Sequence, residues 1–487
     1  MRGVVAARVR ILNNHPINAA GQFVLYWMAA FRRTRWNFAL QQAAAWAKEL
    51  AKPLLVLETL SCGRRWDSER LHRFVLDGMA DNARAFRSTP ARYYPYVEPE
   101  SGSAKALVAA LAERACMLIT DDFPTHDVPE VLKTTSRVRV LAEAVDSNGL
   151  LPLRAADRVF PTAYAFRRFL QNELRDCLGD FPKKTPLARL DLPRLKGLPA
   201  AIGRRWPMAP ARALRGDPDA LRALPIDHSV SAVEARGGAD AGQSALRQFL
   251  RDRLREYAKH RNEPEREVTS GLSPHLHYGH ISAHQVFAEL MALEGWSPDD
   301  LSPKATGSRV GWWSVGEPAE AFLDQLVTWR ELGYNMCWQR TDYHRYKSLP
   351  AWARQTLAEH SSDMRPHVYS LDQLERAETH DALWNAAQMQ LVREGRLHNY
   401  LRMLWGKKIL EWRPTPEAAL EAMIELNNKY ALDGQDPNSH SGIFWILGRY
   451  DRPWGPERPI FGKIRYMSSE NTARKVPVAG YIAKYAP

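Results

Sequence analysis

Apolar residues in the first third of the chain fall into short unbroken runs separated by longer amphipathic stretches. Val9–Leu12 (VRIL), Leu54–Leu60 (LLVLETL), Cys116–Asp122 (CMLITDD) and Val138–Val145 (VRVLAEAV) all have strand length. Runs this short and this uniformly apolar predict strands buried on both faces. Residues 20–50 are alanine-rich and amphipathic, end in WAKELAK, and predict a helix, as does AKALVAALAER further on. Strand–helix alternation of this kind predicts a parallel sheet with helices on both faces, a Rossmann-like α/β domain over residues 1–180. No GxGxxG follows the first strand, so a standard dinucleotide fingerprint is missing.

The pattern changes between Phe181 and Gly242, where FPKKTPLARLDLPRLKGLPAA and EARGGADAG are rich in Pro, Gly and charge. That composition predicts a linker lying over a surface, residues 181–242. From Gln243 the periodicity becomes helical, through LRQFLRDRLREYAKHR, SAHQVFAELMAL, EAFLDQLVTWRELGYNMCW and HDALWNAAQMQLVREG. The expected second domain is all-α and spans 243–487. A chain of 487 residues exceeds what one ordinary core supports, in agreement with two domains.

Charge and aromatic content narrow the partners. The formal net charge of +12 suits a polyanion, through counterion release from phosphates. Sixteen Trp supply stacking platforms for bases or a flat cofactor. Cys62, Cys116, Cys177 and Cys337 are scattered without a CxxC pair, which indicates neither a disulfide framework nor a cysteine zinc site. No apolar run reaches spanning length, and the start MRGVVAARVRIL has too short an apolar core for a secretory signal. The expectation is a soluble cytoplasmic protein, monomeric and without membrane contact.

Four segments carry candidate chemistry. In RLHNYLRMLWGKKILEW (Arg396–Trp412), Arg402, Trp405 and Trp412 fall on one helical face, with Trp384 one helix upstream in LWNAAQ. Core packing and a functional aromatic series are both open there. TSGLSPHLHYGHISAHQVF (Thr269–Phe287) opens with small hydroxyl residues before a helix, suited either to a phosphate or to plain capping. Its His277, His280 and His284 share the expected helical face, but no carboxylate or Cys stands at ligand spacing, and no metal is expected. FLDQLVTWREL places Gln325 and Trp329 four apart, an amide beside a stacking ring or an ordinary core face. IFGKIRYM contains Gly-Lys but lacks the rest of a phosphate loop; with Arg452, Trp454, Arg458, Lys463 and Arg465 it reads as a basic loop with an aromatic tip.

Taken in order, these segments resemble the photolyase–cryptochrome family, and specifically its class II cyclobutane pyrimidine dimer photolyases. RVRILNNHPINAAGQFVLYWMAAFRRTRWNFAL is similar to the class II opening; RNEPEREVTSGLSPHLHYGHIS, LWNAAQ, LRMLWGKKILEW, LDGQDPN and ERPIFGKIRYM are similar to its flavin-domain signatures. The resemblance implies the photolyase/cryptochrome fold, with FAD in the helical domain and FADH⁻ as the active form. An antenna chromophore of open identity is allowed for in the N-terminal domain. It assigns Tyr257, Thr269, Ser270, Gly271, Leu272, Ser273 and Arg330 to cofactor binding, together with an Arg402–Asp433 ion pair beside the isoalloxazine. Asn427 would face the flavin N5, and Trp384, Trp405 and Trp412 would relay electrons to the flavin. The implied reaction is light-driven: the reduced flavin gives an electron to a dimer flipped out of UV-damaged double-stranded DNA, the cyclobutane ring splits, and the electron returns. Trp329 and Trp445 match the aromatic walls of the lesion pocket, Met403 a residue close to the lesion, and Arg452, Trp454 and Arg465 the loop filling the vacated duplex.

The chain departs from the class II pattern at Gln325, where those enzymes usually carry Glu. An amide hydrogen-bonds but cannot give up a carboxyl proton. Gln is the residue of six-four photolyases and animal cryptochromes, so repair of another photoproduct and a cryptochrome-like FAD photoreceptor remain alternatives to dimer repair. Gln435 in the LDGRDPN pattern and GRLHNY in place of GKMHGF are milder departures.

Overall fold

The structure is a computed structural model and describes residues 4–487. Met1–Gly3, the start of the segment too short for a secretory signal, lie outside the described residues. The chain forms two compact units that interleave in sequence. The first takes the chain through Ala155 and then Glu173–Arg247 and Gly271–Gly295; the second takes Ala156–Asn172, Gln248–Ser270 and Trp296–Pro487.

The first unit is built on a six-stranded sheet of order β1-β6-β5-β2-β3-β4. Its strands are β1 (Val9–Ile11), β2 (Phe23–Met28), β3 (Leu54–Leu60), β4 (Arg92–Val97), β5 (Ala115–Asp121) and β6 (Leu141–Val145). All pairings are parallel except the edge pair β1–β6. Helices α1 (Phe38–Glu49), α2 (Glu69–Phe86), α3 (Ser103–Ala112) and α4 (Val128–Thr135) connect the strands. One sheet face packs Phe23, Leu25, Trp27, Leu55, Leu57 and Leu118 against Leu107 and Leu111 of α3.

The helix expected over 20–50 is corrected by this sheet: α1 begins only at Phe38, and Phe23–Met28 is a central strand with all six residues buried. A strand covered on both faces shows no polar alternation, so its run merges with the alanine-rich helix that follows. β4 is a strand that the apolar pattern does not announce; it carries Pro95, which an edge strand tolerates because one side of its backbone has no ladder partner. The turn after β2 is held by Asp121 at the end of β5. Its buried carboxylate accepts the N–H groups of Ala29, Ala30 and Phe31 and the Tyr26 hydroxyl. Burial pushes the Asp121 carboxyl up, and these four donors oppose the shift.

Residues 181–242 run along the first unit: Tyr94 Oη donates to the Trp206 carbonyl, Arg70 Nε to the Ser231 carbonyl, and Ser68 bridges to Asp227. The histidine-rich segment also differs from expectation. His275 and His277 lie on a five-residue helix, α5 (Ser273–His277), whereas His284 lies on α6 (Ala283–Leu293). Between them Gly279 takes a φ of +67°, and a Cβ there would run into the Ala30 carbonyl. The three imidazoles expected on one helical face are therefore split over two elements and the turn between them. His275 and His280 each pack 5.3 Å from Phe74, and His284 meets Phe38 edge-on at 5.3 Å. Burial lowers His275 to about 4 and His280 well below the usual imidazole range, so both pack as neutral rings.

The second unit is helical among its described residues. A π-turn, Asp324–Trp329, leads into α7 (Arg330–Gln339); α8 (Ala382–Glu394), α9 (Asn399–Trp412), α10 (Pro416–Tyr430) and α11 (Pro437–Ile446) follow. The core shared by α8, α9, α10 and α11 includes Trp384, Leu401, Trp405, Ile409, Trp412, Met423, Phe444 and Ile446. No helix among the described residues is long and apolar enough to cross a membrane.

Candidate active site

Three indoles on α8 and α9 form a connected series inside the second unit. Trp384, Trp405 and Trp412 are each at most 1% exposed. The Trp384 Nε1–H donates to the Trp405 main-chain carbonyl at 2.9 Å, and the Trp384 ring meets Trp412 edge-on at 5.4 Å. Trp405 Nε1–H donates to Gln388 Oε1 at 2.9 Å. Buried indoles need such partners, and each bond also fixes a ring plane. Sequence reasoning missed Gln388, although it stands one turn after Trp384 in LWNAAQ, a spacing that could have found it. Beyond Trp412 the series reaches Tyr369 at 5.3 Å and His380 at 5.4 Å; the Tyr369 hydroxyl and His380 Nδ1 are hydrogen-bonded at 2.7 Å.

Arg402, one turn before Trp405 on α9, pairs with Asp433 at 3.0 Å in a largely sheltered setting. Asn427, at the end of α10, is 3% exposed, and its Nδ2 donates to Asn428 Oδ1 at 3.1 Å and Ser439 Oγ at 2.9 Å. Both amide hydrogens are thereby committed, and Asn427 Oδ1 takes no hydrogen bond among the described residues. It is an open acceptor. Asn428 and Ser439 are orienting residues that sequence reasoning missed.

On the π-turn and α11, the Trp329 and Trp445 rings stack at 4.8 Å with an interplanar angle of 28°. Both are half-buried, and Gln325, one turn before Trp329, offers an amide that takes no hydrogen bond among the described residues. Met403 on α9 is half-buried against the helical core. Arg330 is buried; it donates to Tyr334 Oη at 2.9 Å, and that hydroxyl donates to Asp436 Oδ2 at 3.3 Å.

The basic loop is more ordered than its composition suggests. Trp454 Nε1–H donates to Asp451 Oδ1 at 2.9 Å, and the guanidinium groups of Arg452 and Arg465 lie 4.9 and 5.2 Å from the Trp454 ring centre. Trp454 is thus a half-buried platform in contact with two cations rather than a free tip. Arg452 and Arg465 are exposed and pair with no carboxylate among the described residues, which leaves both charges for a polyanion.

The residues expected at the cofactor phosphates divide between the units. Tyr257 is buried in the second unit, edge-on to Phe249 and Phe322 at 5.6 Å each, and burial raises its phenol. Thr269, whose carbonyl accepts from Arg253 at 3.2 Å, and Ser270 close a segment of the same unit. Gly271, Leu272 and Ser273 open a segment of the first unit, where Leu272 precedes α5 without a side-chain cap. No group of three or more His, Cys, Asp or Glu that could hold a metal occurs among the described residues.

No protein-family model matches the chain. It is 32% identical over 482 residues to a deoxyribodipyrimidine photo-lyase of Methanothermobacter thermautotrophicus, covering 98% of this chain and 97% of that one. It is 35% identical over 495 residues to the enzyme of the same name from Oryza sativa subsp. japonica, covering 98% and 90%. The Arabidopsis thaliana enzyme of that name is 34% identical over 499 residues, covering 99% and 92%. Among solved structures, a class III photolyase from Agrobacterium tumefaciens aligns with a TM-score of 0.67 at 16% identity, over 96% of this chain and 86% of that chain, a likeness of fold. A chain with an α/β unit on a mostly parallel sheet and a helical unit has the photolyase fold, and it belongs to the photolyase–cryptochrome family. Within that family it is a photolyase, an enzyme of light-dependent DNA repair.

Proposed function

We propose that this photolyase is of the class II type and splits cyclobutane pyrimidine dimers flipped out of double-stranded DNA. The observation that carries this reading is the Trp329–Trp445 stack, with the free Gln325 amide one turn away. Two indole walls and a hydrogen-bonding amide suit a pair of flat, linked bases with polar edges. The unpaired Arg452 and Arg465, both close to the Trp454 ring, would engage phosphates flanking the vacated position.

FAD fits the helical unit by its donors and acceptors: the sheltered Arg402–Asp433 pair and the open Asn427 Oδ1 match a ring system with a polar edge and an N–H. When bound and reduced, FAD supplies the light absorption and the electron that the splitting requires. Arg402 and Asp433 would bias its charge, Asn427 Oδ1 would accept a ring proton's hydrogen bond, and Tyr257, Thr269, Ser270 and Arg330 of the same unit would hold its remaining length. Trp412, Trp384 and Trp405, in that spatial order, offer a route for an electron moving inward toward Arg402. Met403 on α9 would border the lesion.

The deciding experiment is illuminated repair of an oligonucleotide with one defined dimer by the reduced protein, with a six-four substrate alongside and a dark control. Dimer loss under light alone supports the proposal. Gln325 favours a second reading, repair of the six-four product or photoreception without repair; loss of only the six-four product, or of neither, would replace the first reading with it.

A further inference from the structure

Lys407 has no part in the site described above. It lies on α9 between Trp405 and Trp412, in a stretch where a lysine is expected to reach solvent, yet it is 1% exposed. Its ammonium donates to the main-chain carbonyl of Ile446, the last residue of α11. The preceding Gly406 permits this approach, since a Cβ there would run into Ile446 and Met423.

The last carbonyls of a helix lack intrahelical partners and must find others. At the end of α11 the Phe444 carbonyl accepts from Leu447 and Arg449, and the Trp445 carbonyl accepts from Gly448 at 3.0 Å. Ile446 receives Lys407 instead, a cation placed where the helix dipole favours one. The capped turn has a consequence on each side. Immediately before it stands Trp445, stacked on Trp329. Immediately after it the chain turns through Gly448, whose carbonyl accepts from Asp451, and the Asp451 carboxylate then holds both the Arg452 N–H and the Trp454 indole.

We propose that Lys407 is a positioning residue that sets the Trp329–Trp445 pair and the Asp451–Trp454 loop in register, so that lesion binding and phosphate contact occur together. The proposal rests on reading Trp329 and Trp445 as the lesion pocket. The influence of Lys407 passes through the Ile446 carbonyl.

The test uses full-length, flavin-loaded protein with Lys407→Met, which keeps the unbranched apolar stem and removes the donor. Affinities are measured for a duplex with one dimer and for the same duplex undamaged, beside the repair yield per absorbed photon at saturating DNA. Leaving a buried carbonyl unpaired should weaken dimer binding by about tenfold. Affinity for undamaged duplex, flavin content and the saturated repair yield should stay unchanged. An unchanged preference for dimer over undamaged DNA, or an equal loss on both, would overturn the proposal, as would a lowered saturated yield with binding intact. Should Lys407→Met fold poorly, Lys407→Gln retains a donor and should show an intermediate loss of dimer preference; parental preference in that variant beside a soluble, flavin-loaded protein also counts against the role. A Trp445→Ala control separates the two ideas. If it leaves dimer affinity intact the pocket reading falls, whereas if it lowers dimer affinity and the Lys407 variants do not, only the role of Lys407 falls.

Discussion

Trp384 gives its indole N–H to the main-chain carbonyl of Trp405 at 2.9 Å while its ring edge meets Trp412 at 5.4 Å, so the middle member of the series is locked to both neighbours. If the series carries electrons, interrupting it should slow reduction without emptying the site. Trp405→Phe keeps an aromatic ring but loses the bond to Gln388. Its flavin photoreduction under blue light with external reductant should fall about tenfold or more, a barrier increase of roughly 1.4 kcal/mol. Parental kinetics in that variant would remove the relay assignment.

Gln325 stands free beside the stacked pair, and an amide lacks the proton that a carboxyl group could share with a dimer. Gln325→Glu should therefore raise the yield of dimer splitting per absorbed photon, measured with reduced protein on a saturating dimer oligonucleotide. A yield equal to or below that of the parent would mean that Gln325 is suited to a different task.

Trp445→Ala removes one wall of the stack at 4.8 Å. Base–aromatic stacking contributes about 1–3 kcal/mol per base, so dimer affinity should drop by roughly 5- to 150-fold. Undamaged duplex, which has no base to place there, should bind nearly as before. Titration of both duplexes by fluorescence anisotropy reads the difference, and equal losses on the two would argue against a pocket.

Arg452 and Arg465 differ from the pocket residues in what they should do. Each is exposed and unpaired with a carboxylate, so replacing either by Ala should weaken damaged and undamaged DNA alike. The slope of log affinity against log salt should become shallower by about 1 for each phosphate that the variant no longer neutralises. An unchanged slope would mean that the replaced arginine engages no phosphate.

How much of this is legible in the sequence depends on whether the signal is local. β3 and β5 can be read from their apolar runs, because a strand buried on both faces writes itself as an unbroken hydrophobic segment. The same rule fails for Phe23–Met28, where the run joins a helix with few breaking residues between. Trp405 and Trp412 are visible through helical spacing, but the order of the series is not, since Trp384 comes from another helix and only packing places it between them. The histidines mislead because Gly279 reverses the chain inside what looks like one helix. Lys407 is invisible for a related reason. A lysine on a polar-looking helix face reads as solvated, and only the close approach of α11 buries it.

That burial makes a prediction about pH. Lys407 is lowered from an ordinary value of 10.5 to about 7, chiefly by desolvation, with Asp451 opposing the shift and Arg465 adding to it. Between pH 7 and about 10 the unfolded chain keeps a proton on this amine that the folded chain has released. Stability traceable to Lys407 must therefore rise with pH across that window, by at most ~1.4 kcal/mol per pH unit. Below pH 7 the folded form carries the charge as well, and its desolvation cost is fully present. Other groups also titrate in this range, so the useful quantity is the difference between parent and Lys407→Met. The variant loses a helix cap at every pH but has no charge to bury. Its unfolding midpoint relative to the parent should be highest near pH about 6.5 and should decline steadily toward pH about 9.5 as the parent sheds the proton. Parallel pH profiles for the two proteins would show that Lys407 keeps an ordinary proton affinity in the fold.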